Sequence, residues 1–116
     1  MIHEYRTYRL KPGALSTYLA AFESIALPLI RRHMDLIGFW SADTGLLNRV
    51  HHLWAFADHA ERATRFAALR AEPDYQQRFL PVALPLIEDM TSQILLPVSF
   101  AAGLPLGAIE PRRGAG

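Results

Sequence analysis

The fold turns on three consecutive stretches: Leu36-Ile37-Gly38-Phe39-Trp40-Ser41, Asp43-Thr44-Gly45-Leu46-Leu47-Asn48, and Arg49-Val50-His51-His52-Leu53-Trp54-Ala55-Phe56. The first is short and apolar at both sets of alternating positions, with Leu36 and Trp40 on one face and Ile37 and Phe39 on the other. A strand covered on both faces is expected from it. The second has turn composition. The third resumes a strand in which Val50, His52, Trp54 and Phe56 share a face. Together the three predict an antiparallel hairpin.

Upstream, Ile2 to Leu10 alternates so that Ile2, Glu4, Arg6 and Tyr8 lie on one face of a first strand and His3, Tyr5, Thr7 and Arg9 on the other. Lys11-Pro12-Gly13 is a turn. Leu15, Tyr18, Leu19, Phe22, Ala26 and Leu29 then recur at helical spacing, predicting an amphipathic helix from about Ala14 to His33. Pro28 cannot donate to the carbonyl of Ser24, so a kink or early end is expected there.

Downstream of the hairpin, Asp58 with Glu61 three residues on has the form of a helix N-terminal capping box. Ala60, Ala63 and Ala67 form a small-residue stripe suited to lying close on a sheet, with Phe66 and Leu69 beside it. Prolines at 73, 81 and 85 divide the chain beyond Arg70 into short pieces, so Asp74 to Leu80 is expected to form one or two helical turns. Ile87 to Leu96 reads as a closing strand ended by Pro97. The resulting order, βαββαβ, predicts a ferredoxin-like α+β domain over residues 1–100 with a four-stranded antiparallel sheet. A Gly- and Pro-rich tail over 101–116 is expected to be flexible or docked on a partner subunit.

Composition narrows the partners. Twelve basic and eleven acidic residues among 116 leave a net charge of +1 without a long run of either sign, which argues against nucleic acid. Cysteine is absent, so disulfides and thiolate chemistry are excluded. An acid at position 4 and no apolar run after it argue against a secretory signal, and a cytoplasmic location is expected. Met90 to Ile109 is uncharged and long enough to raise a membrane span, but Pro97, Gly103, Pro105 and Gly107 interrupt it. Strand plus tail is the expected reading.

Apolar residues on both faces of the second and fourth strands leave one sheet face that two helices cannot cover. A homodimer joined through that face is expected, the alternative being a monomer that folds its own tail over it.

No GxSxG, phosphate loop, dinucleotide-binding glycine pattern or HExxH occurs, so attention falls on individual side chains. His51 and His52 point to opposite sheet faces and cannot readily chelate one ion; neither a metal nor a cofactor is expected. His52, on one face with Asn48 and Trp54, reads either as a ligand contact and proton acceptor or as a satisfied core histidine. Arg6 and Tyr8, with Glu4, read either as the wall of a polar pocket for a planar organic acid or as an ion pair with a packed tyrosine. Trp40 and Trp54 are core anchors or ligand walls. The arginines at 62, 65, 70 and 78 read as a solvated helix face.

Ile2-His3-Glu4-Tyr5-Arg6-Thr7-Tyr8-Arg9-Leu10-Lys11-Pro12-Gly13 resembles the opening strand and turn of the NIPSNAP family. Leu36 to Trp40, Leu47-Asn48, and His52 to Phe56 followed by Glu61-Arg62 resemble that family's central hairpin and second-helix entry. Tyr5 and Phe56 depart from the leucine and tyrosine usual there. The resemblance implies a dimeric α/β barrel, an architecture shared with cofactor-free oxygenases, muconolactone isomerase-like enzymes and haem-degrading enzymes. Two functions fit these residues. One is a pocket for a small, largely apolar organic ligand, lined by Arg6, Tyr8, Trp40, Asn48, His52 and Trp54, with His52 catalysing oxygenation or isomerisation. The other is a non-catalytic protein-interaction module.

Overall fold

The computed structural model describes residues 1–104; the remainder of the expected tail lies outside the described residues. Four strands, β1 (Ile2–Leu10), β2 (Asp35–Ser41), β3 (Arg49–Phe56) and β4 (Ile87–Leu95), form one antiparallel sheet in the order β2-β3-β1-β4. This is the ferredoxin-like α+β arrangement expected from the element order. The run from Met90 that had membrane length begins within β4, and among the described residues no helix is long and apolar enough to cross a membrane.

One long helical rod, residues 15–33, crosses the sheet as α1 (Leu15–Ala21), a π turn (Phe22–Ala26) and α2 (Leu27–His33). The expected break at Pro28 takes a different form. The irregularity lies before the proline, where the Leu27 amide reaches back five residues to the Phe22 carbonyl, and the helix continues through its last turn. The wider turn lets the chain absorb the missing Pro28 amide without a sharp bend.

The same device recurs after α3 (His59–Arg70). A π turn (Tyr75–Phe79) precedes α4 (Leu80–Ala83), with the Leu80 amide bonding the Tyr75 carbonyl and Pro81 next in the chain. Asp58 caps α3 as expected, its carboxylate accepting from the Glu61 amide at 2.8 Å; Glu61 itself pairs with Arg65 one turn on.

The helices cover one sheet face. Val50, Trp54 and Phe56 of β3 meet Tyr18, Phe22, Leu29, Ile30 and Leu69 there, all buried. Full burial of a side chain such as Phe56 is worth about 2–3 kcal/mol, and this layer fixes the register of the hairpin.

In β2 the register shifts between Leu36 and Gly38. Leu36 opposes Trp54 and Phe39 opposes His52, so both pack on the covered face, while Trp40 opposes His51 on the open one. The expected pairing of Leu36 with Trp40 on one face is therefore corrected: the bulge inserts one residue and inverts the alternation beyond it.

Candidate functional site

Between the sheet and the two π turns lies a cavity of about 120 Å³. Arg6 and Tyr8 from β1 and His52 and Trp54 from β3 form its floor. Phe22 from the first π turn and Tyr75 and Phe79 from the second form its roof, and half-exposed Leu84 and Met90 stand at its mouth. Four of the six expected ligand residues thus come together because cross-strand pairing sets Arg6 against His52. Engineered apolar cavities of about 150 Å³ hold benzene, so this one suits a group of about one aromatic ring.

The other two lie elsewhere. Asn48 is an exposed turn residue with φ 60°, a left-handed conformation that asparagine tolerates, and its carbonyl accepts from the Leu10 amide at 2.6 Å. Its contribution is to tie the hairpin turn to the end of β1. Trp40 is 44% exposed on the opposite face, its indole folded over Gly38 so closely that a Cβ there would fall 2.4 Å from the ring.

His52 is 2% exposed and packed in an aromatic box. Phe39 stacks on it with ring centroids 5.0 Å apart, and Tyr8 meets it edge-on at 4.7 Å. Trp54 Nε1–H donates to His52 Nδ1 at 3.0 Å. An indole only donates, so Nδ1 must present its lone pair and the neutral ring carries its proton on Nε2. That Nε2–H is buried and has no hydrogen-bond partner among the described residues. Burial, aided by the Arg6 charge, pushes the His52 pKa down to about 3, so the ring stays neutral. The sequence expectation makes His52 a proton acceptor; in this tautomer the available lone pair is spent on Trp54 and the ring offers a donor.

Glu4 is fully buried on the covered sheet face next to Arg6 and is heavily engaged. It accepts from Arg62 Nε at 2.8 Å, Arg62 Nη2 at 2.9 Å, Arg6 Nη1 at 3.0 Å and the Ser92 hydroxyl. Burial alone would raise its pKa, but the bonds from Arg62 and Ser92 and the charges of Arg6 and Arg62 outweigh it and hold the carboxyl below its usual range. The reading of Arg62 as part of a solvated face is corrected, since it clamps a buried acid from α3. Arg6 also donates through Nε to the Tyr8 oxygen at 2.9 Å.

Burial raises the pKa values of Tyr8, Tyr18 and Tyr75, so all three phenols are neutral. Tyr18 and Tyr75 both line the cavity, and sequence reasoning missed both. A tyrosine at helical spacing is indistinguishable from a core residue until the opposing wall is known.

A protein-family model described as NIPSNAP matches residues 3–102. The chain belongs to the NIPSNAP family. It is 35% identical over 95 residues to human Protein NipSnap homolog 3A, covering 81% of this chain and 38% of that protein. This NIPSNAP domain therefore spans little more than a third of the curated relatives it matches.

Among solved structures, an uncharacterized NIPSNAP domain protein from Burkholderia xenovorans superposes with a TM-score of 0.81 at 35% identity, covering 86% of this chain and 97% of that one. A NIPSNAP family protein with unknown function from Agrobacterium tumefaciens gives 0.82 at 38% identity, covering 86% and 90%. An antibiotic biosynthesis monooxygenase gives 0.61 at 14% identity over 84% of this chain and 99% of its own, so the two share a fold.

Proposed function

We propose that this NIPSNAP domain works as a homodimer that takes a small, largely apolar organic molecule into the cavity over His52, and that its chemistry is of the cofactor-free oxygenase or isomerase class. The observation that carries this reading is His52, which lines an aromatic cavity and holds a buried Nε2–H without a partner among the described residues. An unsatisfied buried donor costs about 1–3 kcal/mol, and a ligand acceptor recovers that cost. The fold shared with a monooxygenase makes oxygenation the first reaction to assay.

Support for the homodimer comes from the open sheet face. Trp40 is 44% and Leu95 43% exposed there, beside half-buried Tyr5 and Leu53, and β4 is an exposed edge along most of its length. A second copy would cover this patch with its own equivalent.

Native mass spectrometry of gently purified protein tests both parts. The expected spectrum is a dimer carrying a retained small molecule, lost in His52→Phe. A monomer mass contradicts the dimer, and a ligand-free protein that binds no small aromatic probe contradicts the cavity reading.

A second reading, a protein-interaction module, draws on the exposed apolar run after β4, where Leu96, Val98 and Phe100 are 70%, 56% and 71% exposed. If this run captures a partner, replacing Leu96, Val98 and Phe100 together by serine abolishes capture and leaves the domain folded; unchanged capture removes this reading.

A further inference from the structure

If the cavity is a ligand site, its donor inventory restricts what it takes. Trp54 fixes His52 as a neutral donor. The Tyr8 oxygen already accepts from Arg6 Nε at 2.9 Å, and no hydrogen bond donated by the Tyr8 hydroxyl is found among the described residues. Two donors on adjacent strands, their rings in edge contact at 4.7 Å, are therefore unspent beside the same small cavity. The accepted bond also polarises the Tyr8 hydroxyl and strengthens it as a donor.

Charge points the same way. Beside the floor, two guanidiniums face the single carboxylate of Glu4, so the cluster retains one positive charge, and Arg6 carries it into the cavity lining. His52 and the tyrosines contribute no negative charge. The one carboxylate is committed to Arg6, Arg62 and Ser92, and the His52 lone pair is committed to Trp54. The floor thus offers donors and a cation but no uncommitted base.

We propose that the ligand is a small planar molecule bearing one anionic oxygen, a phenolate or enolate, received by His52 Nε2–H and Tyr8 O–H with the Arg6 guanidinium behind them. This deepens the cavity reading and rests on it. A carboxylate fits less well: the side-on fork of a guanidinium requires Nε, which Arg6 has spent on Tyr8, and the end-on fork requires Nη1, which it has engaged with Glu4. A neutral hydrocarbon would leave both donors unpaired. The arrangement stabilises negative charge at a substrate oxygen, as oxyanion-binding donors do, while the proton leaves to solvent before or during entry.

The probe is para-nitrophenol, whose ionisation is read by its visible absorbance, compared with its neutral methyl ether. Bound para-nitrophenol is expected to ionise at least about one pH unit below the free probe, equivalent to about tenfold preference for the anion, and the ether to bind correspondingly more weakly. Tyr8→Phe, which removes only the hydroxyl, should shrink the shift, as should His52→Phe. Leu84→Trp, filling the mouth, should block binding.

Phenol and ether binding equally well without a shift in ionisation overturns the anionic-oxygen assignment and leaves the cavity reading standing. Failure of both probes to bind folded protein, or binding unaffected by Leu84→Trp, overturns the cavity reading and the assignment with it. A shift unchanged in Tyr8→Phe and His52→Phe likewise overturns the assignment of these donors.

Discussion

His51 and His52 are neighbours in the chain and occupy opposite environments. His51 lies half-buried on the open sheet face, where its Nδ1 meets the Thr7 hydroxyl at 3.0 Å and its ring stacks on Tyr5 at 5.8 Å. His52 is sealed between the sheet and the helices with one bond, to Trp54, and one orphan donor. One step along a strand changes the face, and the face decides the chemistry. At the position of His51 on the open side, water or a second subunit can complete a polar group. On the covered side every polar group must be matched by a named side chain or by a ligand.

The largest expected consequence is a pH dependence of stability centred on His52. Its folded pKa of about 3 lies below the ordinary histidine value of 6.5, so the folded state prefers the neutral ring. The stabilisation is fully present above pH 6.5, and as pH falls toward 3 the unfolded chain takes up a proton that the folded one refuses. Unfolding free energy should drop by about 1.4 kcal/mol per pH unit in that window. Urea titrations at pH 7, 6 and 5 should show a loss that steepens toward this slope in the parent and a flatter one in His52→Phe. Equal slopes would mean that the ring is hydrated in the folded state. Glu4 acts in the same direction at lower pH, because its depressed pKa means stability is lost as the carboxyl protonates.

Next in size is Arg62→Met. The substitution removes the guanidinium that lies over Phe66 at 5.1 Å and strips two hydrogen bonds from a fully buried carboxylate. Removing one partner of a buried pair costs about 3–5 kcal/mol; Arg62 is itself partly exposed and Arg6 and Ser92 remain, so about 3 kcal/mol is expected, read as a lower chemical-denaturation midpoint. A cost below about 1 kcal/mol would place Glu4 in contact with water, against its complete burial.

Trp54→Phe probes the comparison at His52 itself. The packing surface is largely retained and the Nδ1 partner is lost, leaving both ring nitrogens of a buried histidine unpaired. About 2 kcal/mol of stability should go. The His52 ring is also released to adopt either tautomer, which nitrogen chemical shifts would detect as a move from a single Nε2-protonated form to a mixture.

The hairpin, the alternation of β1 and the cap at Asp58 are legible because each is written in adjacent residues with a fixed period. Arg6, Tyr8, His52 and Trp54 come together for the same reason: two alternating strands in register place one set of residues on one face. Trp40 escapes that rule because the bulge near Ile37 changes parity without changing composition. The arginine clamp is invisible since Glu4 and Arg62 are 58 residues apart, and nothing local in α3 distinguishes Arg62, or Arg65 with its bond to the His33 carbonyl, from exposed Arg70. Pro28 announces an irregularity, but its resolution upstream as a π turn depends on how the Phe22 carbonyl finds the Leu27 amide. Tyr75 lines the cavity only because the second π turn faces the first across the core.

Thr7→Val is the smallest expected effect and the cleanest control for the open face. The swap keeps a β-branched side chain on a strand and removes only the hydroxyl that meets His51. Were the open face as dry as the covered one, the orphaned Nδ1 would cost about 1–3 kcal/mol, as expected for Trp54→Phe. In an isolated subunit His51 is only half-buried, water replaces the lost partner, and the change should stay within about 0.5 kcal/mol. Measured across a range of protein concentration, the same variant becomes informative about assembly. A penalty that appears only where the protein is dimeric would mean that a second copy excludes water from Thr7 and His51, turning the open face into a covered one.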